Sequence, residues 1–530
     1  MQWQKVTNAQ SVREFVIEKT GKTPEEIKNI LPFYRIQHFD EISQILMDAK
    51  SNGMIVKMVG DYDDDGVQSI VILCYLMSEM GIRYEIYMPK RITEGYGLSP
   101  KIVERMSDGG VLITIDNGIK AIEGIKMAKD KGMKVIVLDH HQAGPELPNA
   151  DIIVDPSAIG EADYLHYCGA GLAYKLAEYI LGSEHRIMPY LSVFAAIGTI
   201  GDCVELSGDN RKIVIEGLKN LKAGKLNLPM QLLINGSKIS ESSTAMDIAF
   251  NVVPSINAPG RLYDDGAKYA VMALTQNANA EKNIDWLLQV NKKRKELVEH
   301  YMNKIDLEAL KTSDKRAIFL YDKEIAEGLI GIIAGKITEE TNRPSFVFTD
   351  SLEDGYIKGS VRSNSDEYSI IEIIEKYPEL YSKAGGHEKA AGLTIPVGNF
   401  KKQEEMICKE LPLAAPKDYI PYDLEIDPEH FMETAEEILS LEPTGEGNPA
   451  PIVRVRAMLT PDKNGNVYMT MGTKKEHVKF FCGDFSAIAF HSLVNPDEHP
   501  KFIDMIGRVT ENIYKGNRNI QLILQDFRFY

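Results

Sequence analysis

The sequence predicts an α/β protein with two lobes and a small C-terminal β-barrel. Apolar runs alternate with helical patterns over residues 50–200, which is typical of a parallel sheet covered by helices. A long amphipathic pattern without Gly or Pro follows at 280–312, and we interpret it as one helix that joins the two lobes. Short segments of alternating polarity occupy the chain beyond residue 420 and predict the barrel.

The first lobe is predicted to contain a row of parallel strands. The candidate strands are, in chain order, 54–60, 83–89, 111–118, 133–141 and 151–156. Helical patterns after Gly66 and over 119–131 lie between them. Acidic residues and histidines cluster where these strands end, and ligands of open α/β sheets bind at that edge. We therefore expect the functional site there.

The rest of the chain divides where predicted elements end. A second α/β segment begins with the strand AIFLY after Arg316, and the stretch 413–423 marks a further boundary. The predicted domains are an N-terminal segment 1–50, a first lobe 51–275, a connecting helix 276–315, a second lobe 316–413 and a C-terminal domain 414–530. The N-terminal segment is expected to pack on the first lobe as helices.

Composition restricts the class of protein. The chain has 530 residues, which suggests roughly three to four domains, and its five scattered cysteines argue against a disulfide framework or a structural zinc site. Neither a membrane-spanning apolar run nor a secretion signal is evident, so we expect a cytoplasmic protein without a membrane partner. The net charge of −17 does not exclude a nucleic-acid partner, because a carboxylate cluster that binds cations adds to the negative count.

The segment Gly60–Gly66 carries four carboxylates, those of Asp61, Asp63, Asp64 and Asp65. Like charges at this spacing repel one another, and hard divalent cations relieve that cost because they prefer oxygen ligands. On an extended or turning backbone Asp64 would lie on the side opposite the other three. A solvated acidic turn or a calcium loop is the alternative, although no Glu follows at the EF-hand spacing.

Further candidate ligands follow later elements of the first lobe. Asp116 ends the segment VLITID, Asp139-His140-His141 follows KVIVL, and Asp202 follows a helix-like apolar run. By itself, an Asp after a strand is often only a helix cap. Adjacent histidines on an extended chain point to opposite sides, so we expect one to join a metal and the other to serve a substrate phosphate.

Together these elements supply enough ligands for two divalent cations. The expected metal ligands are Asp61, Asp63, Asp65, Asp116, His140 and Asp202. Oxygen ligands with one imidazole suit Mn²⁺ or Mg²⁺ better than zinc. Two such ions about 4 Å apart activate a water and stabilise charge on a phosphoryl group. No serine triad order, nucleophile elbow or GxxxxGK[ST] phosphate loop competes for the catalytic role.

The order and spacing of these motifs resemble the DHH phosphoesterase family. GDYDDDG, IDNG, DHH and GTIGD are similar to its successive motifs. Segments that resemble the RecJ branch of the family are RITEGYGLS (91–99), INAPGR (256–261), NKKRK (291–295), GSVRS (359–363) and AGGHEKAAGL (384–393). The GGH segment marks a DHH-associated domain, and LEPTGEGNPAP (441–451) resembles the OB-fold of that branch. The resemblance covers the chain from about residue 50 to the end.

The resemblance implies an exonuclease specific for single-stranded DNA, which degrades it 5′→3′ to mononucleotides in DNA repair and recombination. The implied catalytic residues are Asp61, Asp63, Asp65, Asp116, His140, His141 and Asp202. The implied substrate-binding residues are Arg91, His141, Asn257, Arg261, Ser360, Arg362, Gly386 and His387. Arginine suits phosphate oxygens and glycine lets a ligand approach the backbone, although an isolated Arg is usually a surface ion pair.

The resemblance also implies partners and cofactors. These are single-stranded DNA, two Mn²⁺ or Mg²⁺ ions and, as candidate protein partners of a monomeric chain, a single-stranded-DNA-binding protein and a RecQ-type helicase. The OB-fold also offers candidates for base stacking, which are Tyr468, Phe480, Phe481, Phe485, Tyr514 and Arg518. Most of these aromatic residues are expected to belong to the core of the domain instead. The basic run Lys292–Lys295 fits either the path of a strand or a solvated helix face.

Three positions depart from the RecJ pattern. Asp64 replaces a small residue, Ile325-Ala326 replaces Trp-His, and Thr444 replaces an aromatic residue of the OB segment. The last two positions concern strand-end recognition and the OB surface rather than metal chemistry. Two rival functions remain open: a DHH hydrolase of short oligonucleotides or cyclic dinucleotides, and a non-catalytic scaffold. The choice between RNA and DNA also remains open.

Overall fold

The strands of this protein form four separate sheets over the residues that the structure, a computed structural model, describes. These residues are 2–31, 34–412, 419–463, 465–472, 476–492, 500–514 and 517–530. None of the helices in these ranges is long and apolar enough to cross a membrane. The predicted boundary at 413/414 lies outside the described residues, and the domain limits stay predictions.

The N-terminal segment divides between two cores. Its elements are β1 (Gln2–Lys5), α1 (Val12–Thr20), α2 (Pro24–Lys28) and α3 (Phe39–Ser51). Ile42 and Leu46 of α3 belong to the core of the first lobe. Phe15 and Ile27 belong instead to the core of the C-terminal domain. The expectation that the whole segment packs on the first lobe is therefore wrong for α1 and α2, whose apolar faces fit the other core.

The first lobe contains the predicted parallel sheet, in the order β3-β2-β4-β5-β6. Its elements are β2 (Val56–Val59), α4 (Asp64–Met80), β3 (Tyr84–Tyr87), α5 (Pro100–Glu104), β4 (Val111–Ile115), α6 (Ile122–Asp130), β5 (Lys134–Leu138), β6 (Ile152–Val154) and α7 (Pro156–Ile159). Each described pairing is parallel, so the carboxyl ends of the strands share one edge. The strands β2 and β4 are buried throughout, as expected of mainly apolar strands covered on both faces.

Helices complete the first lobe and bring further loops to that edge. They are α8 (Gly169–Leu181), α9 (Met188–Gly201), α10 (Gly208–Lys222), α11 (Leu228–Gly236), α12 (Ala245–Asp247), a π-helical turn Ile248–Val252, α13 (Val253–Leu262) and α14 (Gly266–Thr275). Small residues let α8 and α9 approach each other closely. A Cβ on Gly198 would lie only 2.5 Å from the Cβ of Ala170. The start of α8 and the end of α9 consequently meet beside α4.

The predicted single helix over 280–312 is in fact two. The first, α15, spans Ala280–Asn303, and the second, α16, spans Leu307–Thr312. Asp306 caps α16 by accepting a hydrogen bond from the N–H of Ala309 (3.0 Å), which ends the longer helix before it. Ile284 of α15 lies in the first-lobe core and Val298 in the second-lobe core, so α15 joins the lobes.

The second lobe has a mixed sheet in the order β10-β11-β9-β8-β7. Its elements are β7 (Ile318–Tyr321), α17 (Ile330–Thr341), β8 (Ser345–Asp350), β9 (Tyr356–Arg362), α18 (Ile370–Glu375), β10 (Lys383–His387), β11 (Ala390–Pro396) and α19 (Phe400–Glu410). Val347 packs with α17 on one face, and Phe346 packs with α18 on the other.

The C-terminal domain is built on a sheet in the order β13-β14-β18-β19-β17-β16-β15. Its elements are β12 (Tyr419–Tyr422), β13 (Leu424–Ile426), α20 (Phe431–Leu439), β14 (Ile452–Met458), β15 (Tyr468–Met471), β16 (His477–Cys482), β17 (Phe485–Ala489), β18 (Phe502–Tyr514) and β19 (Asn517–Phe529). Strand β1 adds in parallel to β12. The predicted fold class is confirmed: a parallel-sheet lobe, a second α/β lobe and a C-terminal β-domain.

Three of the six stacking candidates in this domain are already engaged within the protein. Phe480 and Phe485 are buried in the core of the domain, which is the alternative to base stacking that the sequence analysis favoured for such residues. Arg518 is engaged by the carboxylates of Glu436 and Glu511. The side chain of Tyr514 lies outside the described residues.

Arg211 of α10 fastens the C-terminal domain to the first lobe. Its buried guanidinium donates hydrogen bonds to the carbonyl oxygens of Leu441 (3.0 Å), Glu442 (2.7 Å) and Pro443 (3.0 Å). We expect Arg211→Met to lower the free energy of unfolding by about 3 kcal/mol, because buried carbonyls lose their donors. Denaturant unfolding followed by circular dichroism measures the change.

The matched control is Arg186→Met. Arg186 is 74% exposed and pairs with Glu79 at the surface, so its loss should change stability by about 0.5 kcal/mol or less. Equal stability of the two variants would contradict the role assigned to Arg211.

Candidate active site

The carboxyl edge of the first-lobe sheet gathers all six predicted metal ligands into two groups. One group is Asp61, Asp63 and Asp116, and the other is Asp65, His140 and Asp202. Within each group the candidate ligand atoms all lie within 4.8 Å of one another. Elements that are far apart in the chain supply each group, so the fold assembles the site.

The start of α4 separates the aspartates of GDYDDDG. Asp63 caps the helix, since its Oδ1 accepts a hydrogen bond from the N–H of Gly66 (3.3 Å), and the backbone becomes helical from Asp64. The backbone therefore turns into the helix rather than staying extended: Asp61 and Asp63 enter one group and Asp65 enters the other. The carboxylate of Asp65 accepts hydrogen bonds from the N–H groups of Gly169 (2.6 Å) and Ala170 (2.9 Å) at the start of α8.

Asp64 lies apart from both groups, as expected. It is buried, and its Oδ1 accepts a hydrogen bond from Gln68 (3.2 Å). Its own N–H donates to Oδ1 of Asn257 (2.9 Å). The side-chain oxygen of Asn257 thus holds the start of α4, and only its amide nitrogen is left for the predicted contact with substrate.

Asp116 is positioned by its neighbours in the loop after β4. Its φ of 60° is in the left-handed region, and its carbonyl oxygen accepts a hydrogen bond from the hydroxyl of Tyr96 (2.9 Å). The amide of Asn117 donates to the carbonyls of Val59 (3.1 Å) and Ile115 (2.8 Å), which ties the ends of β2 and β4 together. Sequence analysis missed Tyr96, although it lies in the RITEGYGLS segment.

The two histidines lie side by side, so the expectation that they point to opposite sides is wrong. Strand β5 ends at Leu138, and the alternation of a strand no longer applies to His140 and His141. Their ring centroids are 4.4 Å apart. The Nε2 atom of His140 lies 3.1 Å from Asp116, and a third possible ligand group contains Asp116 with both histidines.

Asp139 orients the histidine pair and is a further residue that sequence analysis left without a role. Its Oδ1 lies 2.7 Å from Nδ1 of His141, and its Oδ2 accepts a hydrogen bond from the N–H of Ile119 (2.9 Å). Burial opposes ionisation of Asp139, but the hydrogen bond and charge of His141 prevail and lower its pKa. Burial likewise opposes the charge of His141, yet Asp139 raises its pKa. The sequence signal that could have identified Asp139 is its position as the first residue of the DHH motif.

Burial and mutual repulsion make the carboxyl groups costly to ionise. Burial, followed by the charge of Asp63, raises the pKa of Asp61 well above its usual range. Burial and Asp65 raise the pKa of Asp116 strongly and that of Asp202 to about 9. The buried Oδ1 of Asp61 has no hydrogen-bond partner among the described residues. A divalent cation fits this donor set, since it satisfies such oxygens and favours their charged form.

Three arginines face the acidic groups. Arg91 lies 4.8 Å from the ring centroid of Tyr62, and Arg261 donates to the carbonyl oxygen of Gly328 (3.4 Å) in the second lobe. Burial and then the charge of Arg91 lower the pKa of Arg261 to about 10. The same two causes lower the pKa of Arg362. An anion bound between them would relieve this repulsion.

The second-lobe sheet aligns three predicted substrate-binding residues on one face. In the register His387↔Ala390↔Arg362, directly paired residues share a face, and Ser360 lies two residues from Arg362. The hydroxyl of Ser360 accepts a hydrogen bond from Arg362 (3.0 Å). Gly386 is required by the hairpin, because a Cβ there would lie 2.2 Å from the carbonyl oxygen of Ala390.

Two of the departures from the RecJ pattern are buried. Ile325 is 2% exposed in the second-lobe core, and its carbonyl accepts a hydrogen bond from Thr349 (2.7 Å). Thr444 is 6% exposed and bonds to the carboxylate of Glu442. Neither side chain offers an open surface to a ligand.

Comparison with known proteins agrees with this architecture. Models of the DHH family N-terminal domain, the DHHA1 domain and the RecJ OB domain match residues 55–199, 314–411 and 422–526. The single-stranded-DNA-specific exonuclease RecJ of Bacillus subtilis is 28% identical over 93% of this chain, which spans 64% of that protein's length. The protein of the same name from Salmonella typhimurium is 28% identical, and the match covers 96% of this chain and 93% of that protein.

A solved structure shares the fold. The crystal structure of RecJ in complex with Mn²⁺ from Thermus thermophilus matches with a TM-score of 0.75 and 25% identity. The match covers 98% of this chain and 76% of that chain.

Gly169 provides a test of the proposed metal ligands in which none of the carboxylates is itself substituted. A Cβ there would lie 2.6 Å from the Cβ of Asp116 and 2.9 Å from Oδ2 of Asp65. We expect Gly169→Ala to weaken Mn²⁺ binding about 10- to 100-fold in a calorimetric titration, because it displaces one ligand from each group. Gly335→Ala is the control, since its Cβ would meet nothing within 4 Å. Equal affinities for Mn²⁺ would contradict the assignment.

The raised carboxyl pKa values predict how stability depends on pH. The pKa of Asp202 is about 9 in the folded protein against 3.8 ordinarily. Between these values the folded state keeps a proton that the unfolded chain has lost, so the free energy of unfolding falls as pH rises. We expect Tm in chelator to fall between about pH 6 and pH 9, and the gain in Tm on adding Mn²⁺ to grow.

The control for this pH dependence is Asp202→Asn, which removes one of the titrating carboxyls. Its Tm in chelator should depend less on pH than that of the unmodified protein. If the increase in Tm on adding Mn²⁺ were the same at every pH in this range, it would argue against displacement of protons by the metal.

Proposed function

We propose, from the premise that this chain belongs to the RecJ branch of the DHH family, that it is a metal-dependent exonuclease of single-stranded DNA. It would hydrolyse phosphodiester bonds from the 5′ end and release mononucleotides. The observation that carries this proposal is the pair of acidic ligand groups beside Arg91 and Arg261 of the first lobe, with Arg362 of the second lobe close to them. Such a site suits a negatively charged phosphodiester and the cations that activate water.

The metal ligands proposed are Asp61, Asp63 and Asp116 for one ion and Asp65, His140 and Asp202 for the other. Mn²⁺ or Mg²⁺ bound there supplies an activated water and stabilises charge on the phosphoryl group. Burial lowers the pKa of His140, which leaves its imidazole neutral and able to act as a ligand. The backbone N–H groups of α8 keep Asp65 in place while the other carboxylates adjust.

The cationic side chains would hold the substrate phosphates. Arg261 and Arg362 present guanidinium groups to the cleft, and Ser360 fixes the position of Arg362. His141, held at Nδ1 by Asp139, would donate a hydrogen bond from Nε2 to a phosphate oxygen. These contacts orient the phosphodiester, which contributes to rate because the reacting atoms start close to the geometry of attack.

The close junction of the lobes supports specificity for a single strand. A Cβ on Gly328 would lie 2.1 Å from the carbonyl oxygen of Arg261, so the second lobe contacts the first directly beside the cationic cleft. His387 and Arg362 lie on the second-lobe face above it. A cleft bounded this closely would admit one strand and exclude the width of a duplex.

The same family premise extends to the setting of the enzyme. We propose a monomeric cytoplasmic enzyme of DNA repair and recombination, since one chain supplies both sides of the cleft. A single-stranded-DNA-binding protein and a RecQ-type helicase are its proposed partners. These finer statements rest on the family resemblance.

Degradation of end-labelled single strands tests the proposed function. With Mn²⁺ or Mg²⁺ we expect mononucleotides from unblocked 5′ ends, no product in chelator, and intact 5′-blocked and duplex controls. The double variant Asp63→Ala with Asp65→Ala should lose at least about a hundredfold in rate, because it removes one ligand from each group. Circular dichroism establishes that the variant is folded.

Each alternative outcome identifies a rival. Hydrolysis of dinucleotides while long strands survive would favour a small-substrate hydrolase. Retained activity in the folded double variant would refute the metal assignment. If neither long strands nor dinucleotides were cleaved, the non-catalytic scaffold would be the remaining candidate function. Parallel assays with RNA decide the sugar preference.

A further inference from the structure

Three aromatic side chains form a partly exposed cluster around α14 and α15 that the proposed catalytic site does not use. The cluster consists of Tyr263, Tyr269 and Trp286. The ring centroid of Trp286 lies 6.1 Å from that of Tyr263 and 5.9 Å from that of Tyr269. Tyr263 is 38% exposed and Tyr269 is 54% exposed. Trp286 is half-buried and packs against the first-lobe core, which holds its ring in place between the two exposed tyrosines. Exposed aromatic rings that lie together in this way indicate a binding surface.

The cluster borders an open cavity of about 420 Å³. Its lining residues are Tyr269, Met272, Ala273, Gln276, Lys282, Asn283 and Trp286. The lining combines flat apolar rings with amide groups and one lysine. A nucleobase, which has an apolar face and polar edges, matches this combination.

Cations accompany the rings along α15. The ammonium of Lys293 lies 5.5 Å from the ring centroid of Tyr263 and donates a hydrogen bond to its hydroxyl (3.3 Å). Lys282, Trp286 and Lys293 are spaced by four and seven residues, which places them on one stripe of the helix. Lysines beside exposed aromatic rings are typical of surfaces that bind the backbone and bases of a single strand.

The cluster is continuous with the cationic cleft. Arg294 lies on α15 eight residues beyond Trp286, a rise of about 12 Å or a few nucleotides of strand. Its charge acts on Arg261, which faces Asp63 of the acidic site. Tyr263 follows Arg261 by two residues at the end of α13. A strand whose phosphate is held by Arg261 could therefore reach the rings without leaving the protein surface.

We propose that Tyr263, Tyr269 and Trp286 form a stacking platform for unpaired bases of the substrate strand outside the catalytic cleft. The rings would bind bases of any identity, because each base has a π-face. Lys282 and Lys293 would neutralise the phosphates between them. The choice of a DNA strand as occupant rests on the proposed function, whereas the stacking surface itself can be tested without catalysis.

Tryptophan fluorescence tests the platform directly. The chain has two tryptophans, Trp3 and Trp286. Trp3 lies between Arg454 and Arg528 at the C-terminal domain, so Trp3→Phe leaves Trp286 as the single reporter. In chelator, which prevents cleavage, we expect long oligothymidylate to quench the emission of this variant and a matched abasic strand to leave it unchanged. No quenching, or equal quenching by the abasic strand, overturns the proposal.

Kinetics provide a second test. We expect Trp286→Ala and Tyr269→Ala each to raise KM for a long strand about tenfold, the equivalent of one lost stacking contact. The ratio of kcat/KM on the long strand to that on a dinucleotide should fall to the same extent. Trp286→Phe keeps a ring at this position and should restore most of the affinity.

Tyr179→Ala is the matched control, because Tyr179 is 51% exposed and lines a different cavity. Values of KM for the cluster variants equal to that of Tyr179→Ala overturn the platform. Cleavage of long strands without base-dependent quenching refutes the platform and leaves the proposed nuclease intact. Base-dependent quenching without any cleavage supports the platform and refutes the nuclease.

Discussion

The carboxylates that meet at the edge of the first-lobe sheet impose the constraint on which the rest of the structure depends. Burial deprives Asp61, Asp116 and Asp202 of water, and each carboxylate raises the cost of charging the others. Such an arrangement is tolerable when protons or cations neutralise it. The protein supplies fixed backbone donors for two members: two N–H groups of α8 bind the carboxylate of Asp65, and the N–H of Gly66 binds one oxygen of Asp63. The remaining oxygens are thus free for metal ions, and the packing of α4, α8 and α9 keeps them close.

The opposite charge enters from different elements. Arg261 comes from the end of α13 and Arg362 from an open sheet face of the second lobe, where both repel Arg91. Two clusters of like charge, each unfavourable alone, therefore face each other at one junction. A phosphodiester with its metal ions would neutralise both at once. The chain's net charge of −17 conceals this local distribution, which explains why composition did not identify the partner.

The sequence predicted the positions that regular structure determines and missed those that tertiary contacts determine. The acidic residues follow apolar runs, and parallel strands necessarily end at one edge, so the six residues that the structure brings together as candidate metal ligands could be selected before the fold was known. The orientation of His140 and His141 depends on where β5 ends and on the carboxylate of Asp139. The break between α15 and α16 depends on one cap, Asp306, within a pattern that is otherwise continuous. Such local contacts leave little trace in hydrophobic periodicity.

The departures from the RecJ pattern gain a physical explanation from burial. Ile325 and Thr444 are packed inside the protein, so neither can hold a base, and two of the aromatic residues considered in the C-terminal domain, Phe480 and Phe485, belong to its core. On the proposed function, another surface is then needed for contacts with bases. Helix α15 provides one that is already fixed relative to the catalytic site, since Ile284 anchors it in the first lobe and Val298 in the second. Trp286 and Arg294 on this helix consequently keep a constant separation. On this proposal, a strand could stack its bases on Trp286 while its phosphates are bound in the cleft.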